Sequence, residues 1–429
     1  MQKISVRPSA LSRVRLSDVV VRRTTLCFLL CSAAALTQAV EAPPYAALLQ
    51  QSQANAPRLL EQAANVRAAA ADVRQASAWL NPTLNATAEN LGAPQSGGVS
   101  QRQDTYTVTQ VFEIGGKRSA RIEAEQRKSA ATGARERQSR VAFASELAVA
   151  YATAEAMQQR KEVATSELVR AEDDLRAAHA LVKAGREAEL RVAQARASVA
   201  SAQAAAQSAS ADATEAFERL SALVGANEPF THIDHPFMAS LIAPRVQAGW
   251  TPTEAPALSS ATAERDAIAA QVQVEQKRWI PDVGVTVGIR KFGWTSEKAA
   301  TVGLSLSVPF FDQNKAGIDA AKERATSAAM RLESIRLETV ALHRSALAQV
   351  QASELRLRAA EEGEAAATLA YRLGRIGYDA GKTSLLELLA IRRVLSEAQA
   401  LTIESRLARV RAFSTLSLAE GRNVFGEAP

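Results

Sequence analysis

Cysteine is almost missing from this chain. Only Cys27 and Cys31 occur, both near the start. The remainder has no thiol, which excludes disulfides, thiolate nucleophiles and cysteine-ligated metal centres there. Proline is absent between Pro94 and Pro229 and again between Pro309 and Pro429. Long apolar runs are absent too. Mean hydropathy is −0.10, and beyond residue 40 no uncharged apolar stretch reaches the roughly 18 residues of a membrane-crossing helix. A polytopic helical membrane protein is thereby excluded. A charge surplus is also lacking in the body. The whole chain has 51 Lys+Arg against 45 Asp+Glu. Six of the cations (Lys3, Arg7, Arg13, Arg15, Arg22, Arg23) and one anion (Asp18) lie in residues 1–39, leaving 45 against 44. A neutral body is poor material for neutralising phosphates, so nucleic-acid binding is disfavoured. Finally, there is no phosphate loop, nucleophile motif or paired-cysteine zinc site. The chain reads as a non-enzyme without a cofactor.

What is present begins with an address. Arg22-Arg23 precedes the apolar run Leu26–Leu36, followed by Thr37-Gln38-Ala39. That run has the length of a secretory h-region, and a small-x-Ala cleavage pattern follows it. Residues 1–39 are read as a signal peptide, with an uncleaved N-terminal anchor as the competing reading. No Leu-small-small tripeptide precedes either cysteine, so a lipid-anchored N-terminus is disfavoured.

The two proline-free windows are rich in Ala, Glu, Gln, Arg and Leu, the strong helix formers. Lys183-Ala184-Gly185-Arg186 and Asp379-Ala380-Gly381-Lys382 have the form of left-handed glycine turns that end one helix before the next begins. Each window therefore reads as a helical hairpin, the first arm running from about Lys117 to Val182, on the order of 100 Å. Leu388, Ile391, Leu395 and Ala398 step by three and four, as do Leu190, Ala193, Ala197, Ala200 and Ala204. Both stripes read as coiled-coil seams.

The halves repeat. Gly185 to Gly225 and Gly381 to Gly421 are both 40 residues, and at an offset of 196 Ala202-Gln203-Ala204 matches Ala398-Gln399-Ala400 while Ala216-Phe217 matches Ala412-Phe413. Trp79-Leu80-Asn81-Pro82 answers Trp279-Ile280-Pro281-Asp282. The chain divides into leader 1–39, repeat 40–225, linker 226–256, repeat 257–421 and tail 422–429. Each repeat is helix, strand pair, long helix, glycine turn, helix.

The strand pairs, 81–91/104–113 and 282–291/299–309, alternate apolar with small or polar residues. Val283, Val285, Val287 and Ile289 share one face; so do Val302, Leu304, Leu306 and Val308. Leu84, Ala86 and Ala88, and more weakly Tyr106, Val108, Gln110 and Phe112, repeat the pattern. This is the signature of a transmembrane strand with lipid on one side and a lumen on the other, although soluble half-buried hairpins share it. Four strands cannot close a barrel, and open edges are not tolerated in lipid. A membrane role thus requires oligomers, and three copies give about twelve strands.

The layout resembles the TolC-like outer-membrane factors over essentially the whole chain after the leader. The resemblance is carried by Trp79-x-Asn81-Pro82, by Val111-Phe112-Glu113-Ile114-Gly115-Gly116-Lys117-Arg118, by Val308-Pro309-Phe310-Phe311-Asp312, and by Gly377 to Leu388. The stretch from Gln110 to Arg118 is most similar to the heavy-metal branch, the cobalt–zinc–cadmium and cobalt–nickel resistance type. The fold class implied is mainly α with membrane β: a trimeric twelve-stranded β-barrel in the outer membrane and a periplasmic α-barrel. The function implied is the exit duct of a tripartite pump for divalent heavy-metal cations, with a periplasmic adaptor and an inner-membrane proton-driven RND transporter as partners. A TolC-like duct for drugs or for type I secretion is the alternative cargo reading. A periplasmic coiled-coil adaptor or structural rod is the alternative of another class. On the family pattern the adaptor grips the tips, here Ala184, Gly185, Arg186, Ala380, Gly381 and Lys382. The tunnel narrows nearby, where Asp173, Asp174, Tyr371, Arg372, Arg375 and Asp379 are the gate candidates; each is otherwise a solvated helix face.

Histidine is rare. His179 and His343 stand alone on helices and read as surface positions. Thr231-His232-Ile233-Asp234-His235 holds two imidazoles and a carboxylate, donors suited to a divalent cation. No metal site is assigned on this basis, since a polar loop between repeats accounts for it; His232, Asp234 and His235 are weak candidates.

Overall fold

The computed structural model describes residues 40–92, 98–241, 250–295, 297–422 and 425. The leader reading and both cysteines lie outside these. From Glu41 onward the chain is one unit. Its order is α1 (Tyr45–Asn55), α2 (Pro57–Ser77), β1 (Thr83–Glu89), β2 (Gln103–Phe112), α3 (Lys117–Lys183) and α4 (Glu189–Val224), then a short helix α5 (Phe237–Ser240). The second half gives α6 (Pro256–Lys277), β3 (Val283–Phe292), β4 (Lys298–Leu306), α7 (Lys315–Asp379) and α8 (Leu385–Glu420). Pro57 and Pro256 each stand in the first turn of their helix, where a missing N–H costs nothing. No described helix is long and apolar enough to cross a membrane.

The four strands form one antiparallel sheet in the order β1-β2-β3-β4. Register aligns the apolar positions: Leu84, Val108, Val287 and Val302 form one row across it, and Phe112, Val283 and Leu306 another. The opposite face carries hydroxyls and glycine, with Thr109 Oγ1 2.9 Å from Thr286 Oγ1 beside Gly303. Trp79 meets the Phe112 end of the apolar face edge-on at 6.4 Å, and most of that face is left uncovered by the described chain. Leu84 and Val302 are both 76% exposed. The strands start or stop short of the expected bounds where proline intervenes. β1 begins after Pro82 and β4 ends at Leu306, before Pro309, because proline has no N–H for a ladder.

The helices pack as two hairpins, α3 with α4 and α7 with α8, and α3 also lies against α8. One of the two stripes is not used for packing within the chain. On α4 the residues Leu190, Ala193, Ala197, Ala200 and Ala204 are all exposed. The face turned inward runs through Val199, Ala202, Ala213, Ala216, Phe217 and Leu220. In an alanine-rich helix several frames satisfy a three-four spacing, and the frame with the larger side chains wins the burial. His343 departs from expectation: its ring stacks on Trp250 at 3.8 Å, and Nε2 lies 3.3 Å from Oε1 of the buried Glu420. It is not a surface residue.

Where the inter-repeat segment meets α3, an acid replaces water as the partner of two amides. The backbone N–H groups of Phe237 and Met238 donate to Glu155 Oε2 at 3.1 and 2.9 Å. Burial pushes this carboxyl above the usual carboxylate range, and the two amides pull it partly back. Tyr45, Phe237 and Tyr151 pack edge and face around it.

Candidate functional site

The junction of sheet and helix explains the motif from Val111 to Arg118. The chain must turn from β2 into α3 over a few residues, and Gly115 and Gly116 do so at φ +68° and +75°. A Cβ on Gly115 would fall 2.6 Å from the Ile280 side chain. Ion pairs fix the joint: Arg121 with Glu113 at 2.6 Å, and Lys117 with Asp282 of the other repeat at 2.8 Å. The Arg118 guanidinium lies 5.0 Å over the Trp79 ring. These contacts join the sheet to the long helices.

At the far end both hairpins turn in the same way. Gly185 and Gly381 take φ +71° and +68°. The next residue's N–H closes the last turn, Arg186 to Leu181 O at 3.0 Å and Lys382 to Gly377 O at 2.8 Å, a Schellman closure. Ala184, Gly185, Arg186, Ala380, Gly381 and Lys382 are all exposed. Ser384 accepts from the Glu387 N–H and caps α8.

The six gate candidates do not form one cluster. Asp173 pairs with Arg176 on its own helix, Arg375 pairs with Asp379 at 3.4 Å, and Arg372 is exposed. Tyr371 lies under the Arg170 guanidinium at 5.7 Å. Only Asp174 reaches across an interface to an ion pair. It meets Arg392 of α8, whose Nε also lies 2.8 Å from Glu167 Oε1 on α3. The Arg392 side chain is 9% exposed. Arg392 and Glu167 were missed by sequence reasoning, yet a signal existed. Arg392 sits between Leu388 and Leu395 on a buried stripe, where a cation needs a partner. Arg409, also buried on α8, pairs with Glu354 of α7 at 2.6 Å.

The histidine loop is brought to Glu41. Donor atoms of Glu41, His232 and Asp234 lie within 4.8 Å of one another, and His235 Nε2 is 3.9 Å from Glu41 Oε1. Glu41 carried no sequence signal.

The family model "Outer membrane efflux protein" matches residues 48–226 and 253–422, most of the chain. The chain belongs to the outer membrane efflux protein family. Two relatives are close over nearly the full length. The nickel-cobalt-cadmium resistance protein NccC of Alcaligenes xylosoxydans is 55% identical over 399 residues, 93% of this chain and 91% of its own. The nickel and cobalt resistance protein CnrC of Cupriavidus metallidurans is 56% identical over 394 residues, 92% and 94% of the two chains. Among solved structures CusC matches with a TM-score of 0.75 at 19% identity, over 87% of this chain and 91% of that one. As a member of this family the chain is an outer-membrane efflux channel that extends into the periplasm, and the adaptor reading falls away. The uncovered apolar face of the sheet is the lipid face. The hydroxyl-rich face, with Arg290 Nε 3.1 Å from Thr105 Oγ1, lines the lumen.

Proposed function

We propose that three copies of this chain form the exit duct of a tripartite pump for divalent nickel, cobalt and cadmium ions, completed by a periplasmic adaptor and an inner-membrane RND transporter. The observation that carries the cargo is the identity of 55–56% over more than nine tenths of the chain with two resistance proteins named for these metals. The trimer is supported by the sheet itself. β1 and β4 are edges in one chain, and lipid requires that they pair with a neighbour. The exposed stripe from Leu190 to Ala204 on α4 offers a neighbouring copy a close-packing helix face. The exposed turns at Gly185 and Gly381 are the adaptor's contact points in this reading. The Arg392 bridge to Glu167 and Asp174 ties the two hairpins of one chain together near those turns and acts as the lock of the tunnel. Of the other gate candidates, Arg375 lies within electrostatic reach of Asp174 and Tyr371, while Asp173, Arg372 and Asp379 are exposed. Loss of the gene is expected to lower tolerance to nickel, cobalt and cadmium, and the wild-type gene to restore it. Unchanged tolerance to all three metals, with tolerance to hydrophobic drugs lost instead, would overturn the metal cargo.

A further inference from the structure

Residues 230–234 are held by their neighbours rather than hanging as a loop. Phe230 and Ile233 are buried. The Phe230 N–H donates to Ser221 Oγ at 2.8 Å, and Gln158 clamps both backbone groups of Ile233 at 2.9 and 3.2 Å. With Ile233 turned inward, an extended backbone sends His232 and Asp234 to the opposite side. There the segment pairs in parallel with Glu41, and the Ala42 N–H donates to His232 O at 2.9 Å. Two segments from distant parts of the chain thus present their donors on fixed backbone.

We propose that Glu41, His232, Asp234 and His235 form a binding site for one divalent transition-metal ion. His232 Nε2 lies 3.8 Å from Asp234 Oδ1, and His235 Nε2 lies 3.9 Å from Glu41 Oε1. Bonds of about 2.0–2.2 Å in a tetrahedral shell place donors some 3.4 Å apart. Glu41, His232 and Asp234 already lie within 4.8 Å of one another, and His235 completes the shell by a side-chain rotation from its place beside Glu41. Thr231 Oγ1 lies 3.2 Å from His232 Nδ1. A proton on Nδ1 shared with that hydroxyl leaves the Nε2 lone pair for the ion, the usual outer support of an imidazole ligand. Two imidazoles and two carboxylates suit Zn²⁺, Co²⁺ or Ni²⁺, and without sulfur they do not select Cu⁺. The bound ion cross-links the segment before α1 to the inter-repeat segment. The choice among ions rests on the metal-export reading; the site itself does not.

The test uses the full chain in detergent, purified without a polyhistidine tag and stripped with a chelator. Titration with Co²⁺ is followed by visible d–d absorption, with thermal melting of the helical signal alongside. One Co²⁺ per chain and a raised Tm are expected. Both are lost in His232→Gln/His235→Gln, while its oligomeric mass and helical signal match the wild type. Thr231→Val weakens binding by roughly tenfold, and His179→Gln, exposed on α3, changes nothing. A wild-type protein that gives no Co²⁺ spectrum, or a double variant that keeps it, overturns the site. The export reading is judged separately by metal tolerance of the complemented strain. Binding without restored tolerance leaves the site standing and removes the cargo; restored tolerance without binding does the reverse.

Discussion

Replacing Arg392 by alanine is expected to open the tunnel. The guanidinium is almost fully enclosed between α8 and α3, and it satisfies Glu167 and Asp174 together. Removing it takes away the cation that Glu167 and Asp174 share and leaves Glu167 only Arg170 of its own helix, at 3.7 Å. Breaking a fully buried pair costs several kcal/mol; with the acids here 24% and 19% exposed, about 2 kcal/mol is a fair figure. If only the locked arrangement loses that amount, the ratio of open to closed channels rises about thirtyfold. Open probability in planar bilayers reads this directly. Arg393→Ala is the control, since Arg393 pairs with Glu397 on its own helix and its side chain is 82% exposed. Equal open probabilities for Arg392→Ala and Arg393→Ala would contradict the lock. Asp174→Ala removes one of the two bridges and should give an intermediate effect.

Val287→Arg is expected to abolish assembly in the outer membrane. Val287 stands in the row Leu84–Val108–Val287–Val302, in the middle of the uncovered apolar face. A cation there meets hydrocarbon, which costs roughly 2–4 kcal/mol per chain at the bilayer midplane and so roughly 6–12 kcal/mol in a trimer. Thr301→Arg moves the same charge to the other face of the sheet, next to Gly288, where water fills a lumen. It should assemble normally and alter only ion selectivity. The yield of oligomer in outer-membrane fractions compares the two. Normal assembly of Val287→Arg, or failure of Thr301→Arg alone, would reverse the assignment of faces.

Much of the architecture was legible because punctuation is so sparse. Two windows without proline and two Ala-Gly-cation turns mark hairpins without reference to any contact. The strands were legible because a period of two over some ten residues, flanked by long helices, fits a pleated strand and little else. The face that α4 turns inward within the chain was not legible, for a physical reason. Ala193, Ala197, Ala200 and Ala204 have the right spacing, but so do the residues around Val199, Ala202 and Ala213, and only side-chain volume separates the frames. The proposed lock is half legible. Asp174 lies close to a turn; Arg392 aligns, at the repeat offset of 196, with Arg196, which is exposed. The repeat symmetry hid the difference, since the same residue type is buried and paired in one half and solvated in the other. Glu41 and Trp250 were not legible at all, because each meets its histidine through the fold and not through the local sequence.

One chain is an incomplete wall, finished by its copies in lipid. The most direct test is the mass of the protein extracted from outer membranes in mild detergent, measured by light scattering with the detergent contribution removed. Three chains per particle are predicted, aggregating when the detergent is withdrawn. A monomer or dimer that stays dispersed without detergent would contradict the account, because four strands with two open edges and an uncovered apolar face would then have no membrane to accommodate them.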